Sequence, residues 1–207
     1  APEIQAYTAF LRSINPVVLL AMHSYWSVYY APYGDYENVN QPTPDPFHPL
    51  GDTLAAATYD DLSNAYVFVS GPEWGAIPGG YPVNGDIADW CYHELGTYTF
   101  GIEVGSDSMG FQPAYEFTRD YLVPGARGGW QALLAAAYTN HSQLRGRVVD
   151  GNSSNPVPVY ITLPPTDITS PNDERYMNRP DGHFNCLVKT NGTWHFIVQP
   201  VGQPELT

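Results

Sequence analysis

The chain has 207 residues, 43% of them hydrophobic, and a formal net charge of −13 with only eight lysines and arginines. This length can bury a sizeable core in one domain or in two small ones. So few basic residues argue against a surface for nucleic acid or anionic membranes, and no apolar run approaches the roughly 18 residues that span a bilayer. We therefore expect a globular chain with no nucleic-acid partner and no membrane span.

The first ten residues, APEIQAYTAF, have neither the charged nor the apolar region of a signal peptide. The sequence is therefore either a mature start or a piece of something longer. Cys91 and Cys186 are too few for a disulfide framework, and we expect both to be free. The sequons at Asn140, Asn152 and Asn191 are compatible with secretion, although some sequons arise by chance.

Two helices and a strand are predicted before residue 66. Residues 2–13 should form a helix, because a proline suits its first turn and apolar residues recur at helical spacing. The run PVVLLAMH (16–23) is typical of a strand covered on both faces, and we expect a central strand of a largely parallel sheet. Residues 35–51 have the composition of a loop, and residues 52–65 then resemble a helix.

The later elements change in character near residue 140. Residues 70–86 hold too many glycines and prolines for regular structure and predict a long loop, a kind that is commonly functional. TYTFGIEVG (97–105) alternates as a strand, and GGWQALLAAAYTN (128–140) predicts a helix. Four short β-like runs follow, separated by turn residues: GRVVD, PVPVYITLPP, GHFNCLVKTNG and TWHFIVQPV. They indicate a small all-β unit after an α/β unit.

Three side chains are candidates for chemistry. Glu103 follows Gly101 on one face of its strand, so we expect open space beside a carboxylate that otherwise simply reaches water. His23 ends an apolar run, where histidines are more often structural than ligands, yet open α/β sheets bind ligands at the carboxyl ends of their strands. Tyr81 follows a glycine pair and is either a lid residue or an ordinary surface tyrosine.

Three ordered blocks resemble segments of the zinc metallocarboxypeptidases of the carboxypeptidase A/B and regulatory carboxypeptidase type. HSYWSVYYAPYG (23–34) is similar to the family's His-Ser-Tyr segment and the Pro-Tyr-Gly that follows it. YPVNGDIADWCY (81–92) is similar to the block in which a tyrosine precedes an Asp-Trp pair by eight and nine residues. YTFGIEVG (98–105) is similar to the aromatic strand that carries the catalytic glutamate. The resemblance covers residues 2–140.

The resemblance implies roles for four residues. His23 would be the third protein ligand of a catalytic Zn²⁺, and Glu103 would be the general base that takes a proton from the zinc-bound water and returns it to the leaving amine. Tyr81 would close over the substrate and contact its terminal carboxylate, and Tyr25 would line the peptide-binding cleft. Zinc lowers the pKa of its water to about 7, so that a carboxylate can deprotonate it near neutral pH. The implied function is hydrolysis of the C-terminal peptide bond of peptides or proteins.

The resemblance also implies a pocket for the C-terminal side chain of the substrate. In the pancreatic enzymes the residue before the Asp-Trp pair separates apolar from basic substrates, and here that residue is Ala88. Ala88 therefore indicates apolar side chains. Asp86 lies two residues earlier and could also face the pocket. A dual preference for apolar and basic side chains stays open.

The tail from Arg145 resembles the transthyretin-like β-sandwich that follows the catalytic domain in regulatory-type carboxypeptidases. Its expected role is structural or a docking surface. The expected fold is thus α/β: a partial carboxypeptidase-like mixed sheet with flanking helices in residues 1–143, followed by a small all-β transthyretin-like sandwich in residues 144–207. The family is largely secreted or vesicular, so we expect an extracellular or vesicular location.

The sequence departs from the family at the metal site. The family needs a His-x-x-Glu pair upstream of the third zinc ligand, and none of the six histidines has a glutamate three residues later. The arginine and Asn-Arg segments that bind the substrate carboxylate are also absent. By this resemblance the sequence begins roughly halfway through the enzyme, and one imidazole cannot hold a catalytic zinc at useful affinity. We therefore expect either a C-terminal part, with the missing N-terminal half on another segment, or a remnant without activity.

The rival interpretation is a non-catalytic protein. A carboxypeptidase-like fold with a β-sandwich would then recognise peptide C-termini or a protein partner. Stoichiometric zinc, or a His-x-x-Glu motif upstream of Ala1, would separate the enzyme from this alternative. A half-domain alone would also expose the sheet edge and the core face meant for its missing strands.

Overall fold

The computed structural model describes residues 1–34, 45, 47–70, 73–74, 80–83, 85–135, 142–162, 176–188 and 193–202. Its helices are α1 (Pro2–Ile14), α2 (His48–Ala56), α3 (Ile87–Leu95), α4 (Tyr115–Phe117) and α5 (Val123–Ala135), with a π-helical segment (Thr118–Leu122) between the last two. Its strands are β1 (Val18–His23), β2 (Val28–Tyr30), β3 (Val67–Val69), β4 (Tyr98–Glu103), β5 (Ser142–Arg147), β6 (Val159–Thr162), β7 (Tyr176–Met177), β8 (His183–Val188) and β9 (Ile197–Pro200). Within these described ranges no helix is long and apolar enough to cross a membrane.

Strands β1 to β4 form a mixed sheet in the order β1-β4-β2-β3. Strand β4 runs parallel to β1 and antiparallel to β2, and β2 runs parallel to β3. The predicted mixed α/β architecture is therefore confirmed. The central position expected for β1 is wrong in the described sheet, because β1 pairs with β4 alone and Met22 is 51% exposed. The expected cover on both faces is also wrong among the described residues, because no residue of β1 is fully buried. An apolar run does not show how many strands or layers pack against it.

The predicted helix over residues 2–13 is confirmed as α1. It ends where Asn15 takes a left-handed conformation (φ 40°) and donates its backbone N–H to Leu11 O at 2.8 Å. Leu11 is the buried residue of this helix, and the other apolar side chains, among them Ile4 and Phe10, are exposed. The helix therefore presents an apolar face to solvent.

Helix α2 begins four residues earlier than predicted and ends at Ala56. The Asp45 carboxylate holds its start, since it accepts the backbone N–H of Phe47 and contacts His48 Nδ1, both at 2.7 Å. Beyond the helix, Asp60 accepts the backbone N–H groups of residues 62 and 64 and so turns the chain away. Of the loop predicted over 35–51, residues 35–44 and 46 lie outside the described residues.

Helix α3 lies at a position where no helix was predicted. Asp86 caps its first turn by accepting the Ala88 N–H, and Gly96 ends it in a left-handed conformation (φ 67°). Cys91 is buried in α3 and free, as expected, whereas the side chain of Cys186 lies outside the described part. Both helix boundaries carry ordinary sequence signals that the surrounding glycines and prolines obscured.

Helix α5 begins five residues before the predicted helix, and residues 136–140 lie outside the described ranges. The glycine pair that was expected to open the helix lies inside it. A Cβ at Gly128 would collide with the Ala57 carbonyl, and one at Gly129 would collide with the Tyr29 hydroxyl. The pair therefore lets α5 approach the end of α2 and the sheet closely.

The tail forms two small antiparallel sheets, β5-β8 and β7-β6-β9. Its described residues contain strands and no helix, in agreement with the predicted β-rich texture. Of the sequons, Asn152 lies in an exposed turn, and Asn140 and Asn191 lie outside the described residues.

One hydrophobic core joins the tail to the first sheet. Val159, Ile161 and Tyr176 belong to the same buried cluster as Phe47 and Tyr92. The Tyr176 ring lies 6.1 Å from the Tyr92 ring, between their centroids. The chain therefore packs continuously across the boundary drawn between residues 143 and 144.

Candidate active site

His23 and Glu103 end neighbouring parallel strands. They are direct partners in the register of β1 and β4, and the backbone N–H of Val104 donates to His23 O at 2.9 Å. The His23 side chain is exposed, and that of Glu103 is partly buried. The carboxyl ends of parallel strands meet at one sheet edge, so the register places an imidazole beside a carboxylate.

The open space predicted beside Glu103 is filled by an aromatic ring. A Cβ at Gly101 would collide with the ring of Tyr30, which comes from β2. Gly101 is thus required for close approach of this ring rather than for an empty pocket. Glu103 is correspondingly shielded from water on that side.

Burial raises the pKa values of Glu103 and Tyr30. Burial raises the pKa of Glu103, the neighbouring His23 imidazole opposes the rise, and the Asp86 carboxylate adds to it. Burial, followed by the charges of Asp86 and Glu103, also raises the pKa of Tyr30 far above its usual value. Tyr30 therefore stays protonated, and the Glu103 carboxylate is a stronger proton acceptor than an exposed one.

A cavity of about 540 Å³ lies over this strand edge. Four of the residues singled out in the sequence line it, namely His23, Tyr25, Tyr81 and Glu103. The Tyr81 side chain is 65% exposed, and its backbone carbonyl accepts the indole N–H of Trp74 at 2.9 Å. The fold thus brings together residues that are far apart in the sequence.

The cavity wall also contains residues that the sequence interpretation missed. Trp74 is buried and stacks at a tilt on Tyr30, with 4.9 Å between ring centroids. Phe111 packs edge-on against Tyr25 at 5.0 Å, and Asp107 lines the same cavity. A tryptophan and a phenylalanine in segments rich in glycine and proline could have predicted this wall, because aromatic rings in loops need a surface to pack on.

A comparison with protein-family models identifies the group to which this architecture belongs. The model of the zinc carboxypeptidase family matches residues 1–132. The chain belongs to this family. A search of curated proteins found no match to the chain. The match covers the sheet β1 to β4 and the helices around it, including every residue named above as lining the cavity.

The two residues expected to select the substrate side chain lie at the start of helix α3. Asp86 and Ala88 are not among the described residues that line the 540 Å³ cavity. Ala88 is 1% exposed, and its backbone N–H donates to the Asp86 carboxylate at 3.2 Å. Asp86 is nevertheless close enough to Glu103 to raise the pKa of that residue.

The family implies a zinc ion, and the described residues supply part of a site for it. No group of three or more His, Cys, Asp or Glu side chains that could hold a metal ion occurs among them. His23 fits one ligand position by its chemistry, since it is an exposed imidazole at the cavity rim. The described residues alone do not complete a zinc site.

Proposed function

We propose that this chain is part of a zinc-dependent metallocarboxypeptidase that hydrolyses the C-terminal peptide bond of peptides or proteins. The observation that carries the proposal is the pairing of His23 with Glu103 in strand register at a cavity that Tyr25 and Tyr81 also line. Family membership supports the reaction class. These four side chains come from separate segments of the chain, and the fold gathers them at one edge of the sheet.

His23 would hold the zinc ion together with ligands from a segment outside these residues. When bound, zinc polarises a carbonyl and lowers the pKa of a water molecule in its coordination sphere to about 7. The required partner is therefore the N-terminal half of the catalytic domain, supplied by a longer chain or by a separate segment. The apolar face of α1 and the unpaired edge of β1 are consistent with such a partner.

Glu103 would act as the general base. Its carboxylate accepts a proton from water as the new C–O bond forms, and it returns that proton to the amine as the C–N bond breaks. Burial raises the pKa of Glu103 in the direction of neutral pH. A carboxyl whose pKa lies nearer the working pH is a better proton shuttle. Tyr81 would contact the terminal carboxylate of the substrate, and Tyr25 would line the cleft.

The substrate preference favoured by the geometry is for apolar C-terminal side chains. The carboxylate of Asp86 already caps α3, and Ala88 offers no charge. A basic preference would need the second carboxylate oxygen of Asp86, which does not cap the helix, to face the substrate side chain. Release of C-terminal Phe, Leu, Lys and Arg from matched peptides separates the two cases, and efficient release of Lys or Arg would assign Asp86 to the pocket.

The decisive experiment is Glu103→Gln in the protein that includes the upstream segment. We expect turnover to fall by about a hundredfold to ten-thousandfold with zinc content unchanged, since general-base loss typically costs about 10² to 10⁴ in rate. Glu3→Gln, in the exposed first turn of α1, is the matched control. Retained activity in Glu103→Gln would move the general base elsewhere, and less than one zinc per intact protein would remove the enzyme assignment.

A second candidate function is binding of peptide C-termini without hydrolysis. The cavity and its aromatic wall are sufficient for it, because rings supply contact area at low entropic cost. Peptide affinity without turnover in the zinc-loaded intact protein would favour the binding function.

We also propose that the two sheets of the tail form a transthyretin-like β-sandwich with a structural or docking role, and that the protein acts outside the cell or in vesicles.

A further inference from the structure

A second cavity of about 790 Å³ lies at the opposite end of β1 from His23. One wall is the apolar turn between α1 and β1, formed by Ile14, Pro16 and Val17. The other wall is the β5-β8 ladder of the tail. The turn is held in place against the tail, because the Asn15 side chain donates to the Met177 carbonyl at 2.6 Å.

Arginines concentrate in this cavity. The whole chain has eight lysines and arginines against a net charge of −13, and three of those eight, Arg145, Arg147 and Arg179, line this one cavity. Asp181 is the carboxylate among the described lining residues. Among the described lining residues, the three arginines therefore outnumber this one carboxylate.

Strand register gathers the cationic side chains on one face. Arg145 pairs with Asn185 and Arg147 pairs with His183 across the β5-β8 ladder, so these four side chains point to the same side. The two arginines stand two positions apart on one strand, with about 7 Å between their Cα atoms. Two guanidinium groups on one face at this backbone spacing can both contact one compact oxyanion.

The rim of the cavity is fixed by its own contacts. The Arg147 Nε donates to the Asp181 carbonyl at 3.0 Å, and the Arg179 guanidinium contacts the Asp181 carboxylate at 3.1 Å. The Asp181 carboxylate also accepts the His183 backbone N–H at 3.0 Å. These contacts orient Arg147 and Arg179 before any ligand arrives, which lowers the cost of binding.

We propose that this cavity, the arginine cavity, binds a compact divalent oxyanion of the phosphate, sulfate or dicarboxylate type. Planar guanidinium groups bind such oxyanions through paired hydrogen bonds. The proposal does not depend on catalytic activity.

The test is thermal unfolding of the full chain in sodium phosphate, sulfate or succinate, with ionic strength held constant by sodium chloride. We expect a saturable rise in Tm with at least one of these anions, following the linkage between ligand concentration and stability. Arg145→Gln should weaken the binding about tenfold or more, since a hydrogen bond to a charged group is lost. Arg119→Gln, an exposed arginine paired with Asp120, is the matched control and should bind as wild type.

General salt effects and site binding give different results. A rise in Tm that is equal in wild type and Arg145→Gln, or no saturable rise with any of the three anions, would overturn the proposal. The anion that saturates at the lowest concentration identifies the class of ligand. If Arg145→Gln does not fold, phenylglyoxal labelling of the wild type decides. Phosphate should protect Arg145 and Arg147 and leave Arg119 reactive, and equal labelling of all three with and without phosphate would contradict the site.

Discussion

Substitution of Tyr176 by alanine tests whether the tail and the first sheet form one folding unit. Tyr176 is 9% exposed, its ring packs on Tyr92, and a Cβ at Gly96 would collide with the same ring. Removal of a buried aromatic ring costs about 3 to 5 kcal/mol. Because Tyr176 lies at the edge of the core, we expect about 3 kcal/mol, or roughly 6 to 12 °C in Tm for a domain of this size.

Differential scanning calorimetry measures both the size of the effect and its cooperativity. A shared core predicts a single transition whose calorimetric and van't Hoff enthalpies agree, and Tyr176→Ala should move all of it. Tyr115→Ala is the matched control, because this tyrosine is 71% exposed and its loss should change stability by about 0.5 kcal/mol or less. Two transitions, of which Tyr176→Ala moves one, would refute the reasoning.

Three further substitutions test the site and its surroundings. Gly101→Ala should cost about 1 to 3 kcal/mol in urea unfolding because its Cβ meets an aromatic ring, whereas Gly151→Ala, with nothing within 4 Å, should be near neutral. Burial lowers the pKa of His48, but the three nearby carboxylates of Asp45, Glu73 and Asp52 raise it to a higher net value. Its contribution to stability is therefore full below about pH 6.5 and is lost as pH rises through the raised pKa. His48→Gln should flatten that part of the stability profile, and an unchanged profile would contradict the ion pairs. Trp74→Phe keeps an aromatic ring but removes the indole N–H that donates to the Tyr81 carbonyl, so amide exchange at Tyr81 and Val83 should speed up, and equal exchange rates would refute the anchoring role.

The position of the candidate site could be predicted from the sequence because it depends on strand ends. An apolar run that stops at His23 and an alternating strand that stops at Glu103 are local patterns, and parallel pairing brings such ends to one edge. The contents of the cavity could not be predicted in the same way. Tyr30 fills the space beside Gly101 because β2 pairs antiparallel with β4, and no local pattern reports that pairing.

The helix boundaries failed for a related reason. The start of α2 is set by the Asp45 carboxylate, whose contacts with residues 47 and 48 outweigh the weak periodicity of the segment. Helix α3 was missed although Asp86 and Gly96 are standard boundary residues, because the glycines and prolines before it favoured a loop. Local signals were present in both places, and the tertiary context decided between them.

The exposed apolar surfaces connect the fold to the proposed function. The edge of β1 is unpaired in the described sheet, and the apolar side chains of α1 and Met22 face solvent. An apolar hollow of about 290 Å³ lies beside His23, on the side of Met22 and Leu122. A strand added to that edge would cover these surfaces and would pass next to His23, where the proposed zinc site requires further ligands. The proposed N-terminal half would therefore complete both the sheet and the metal site.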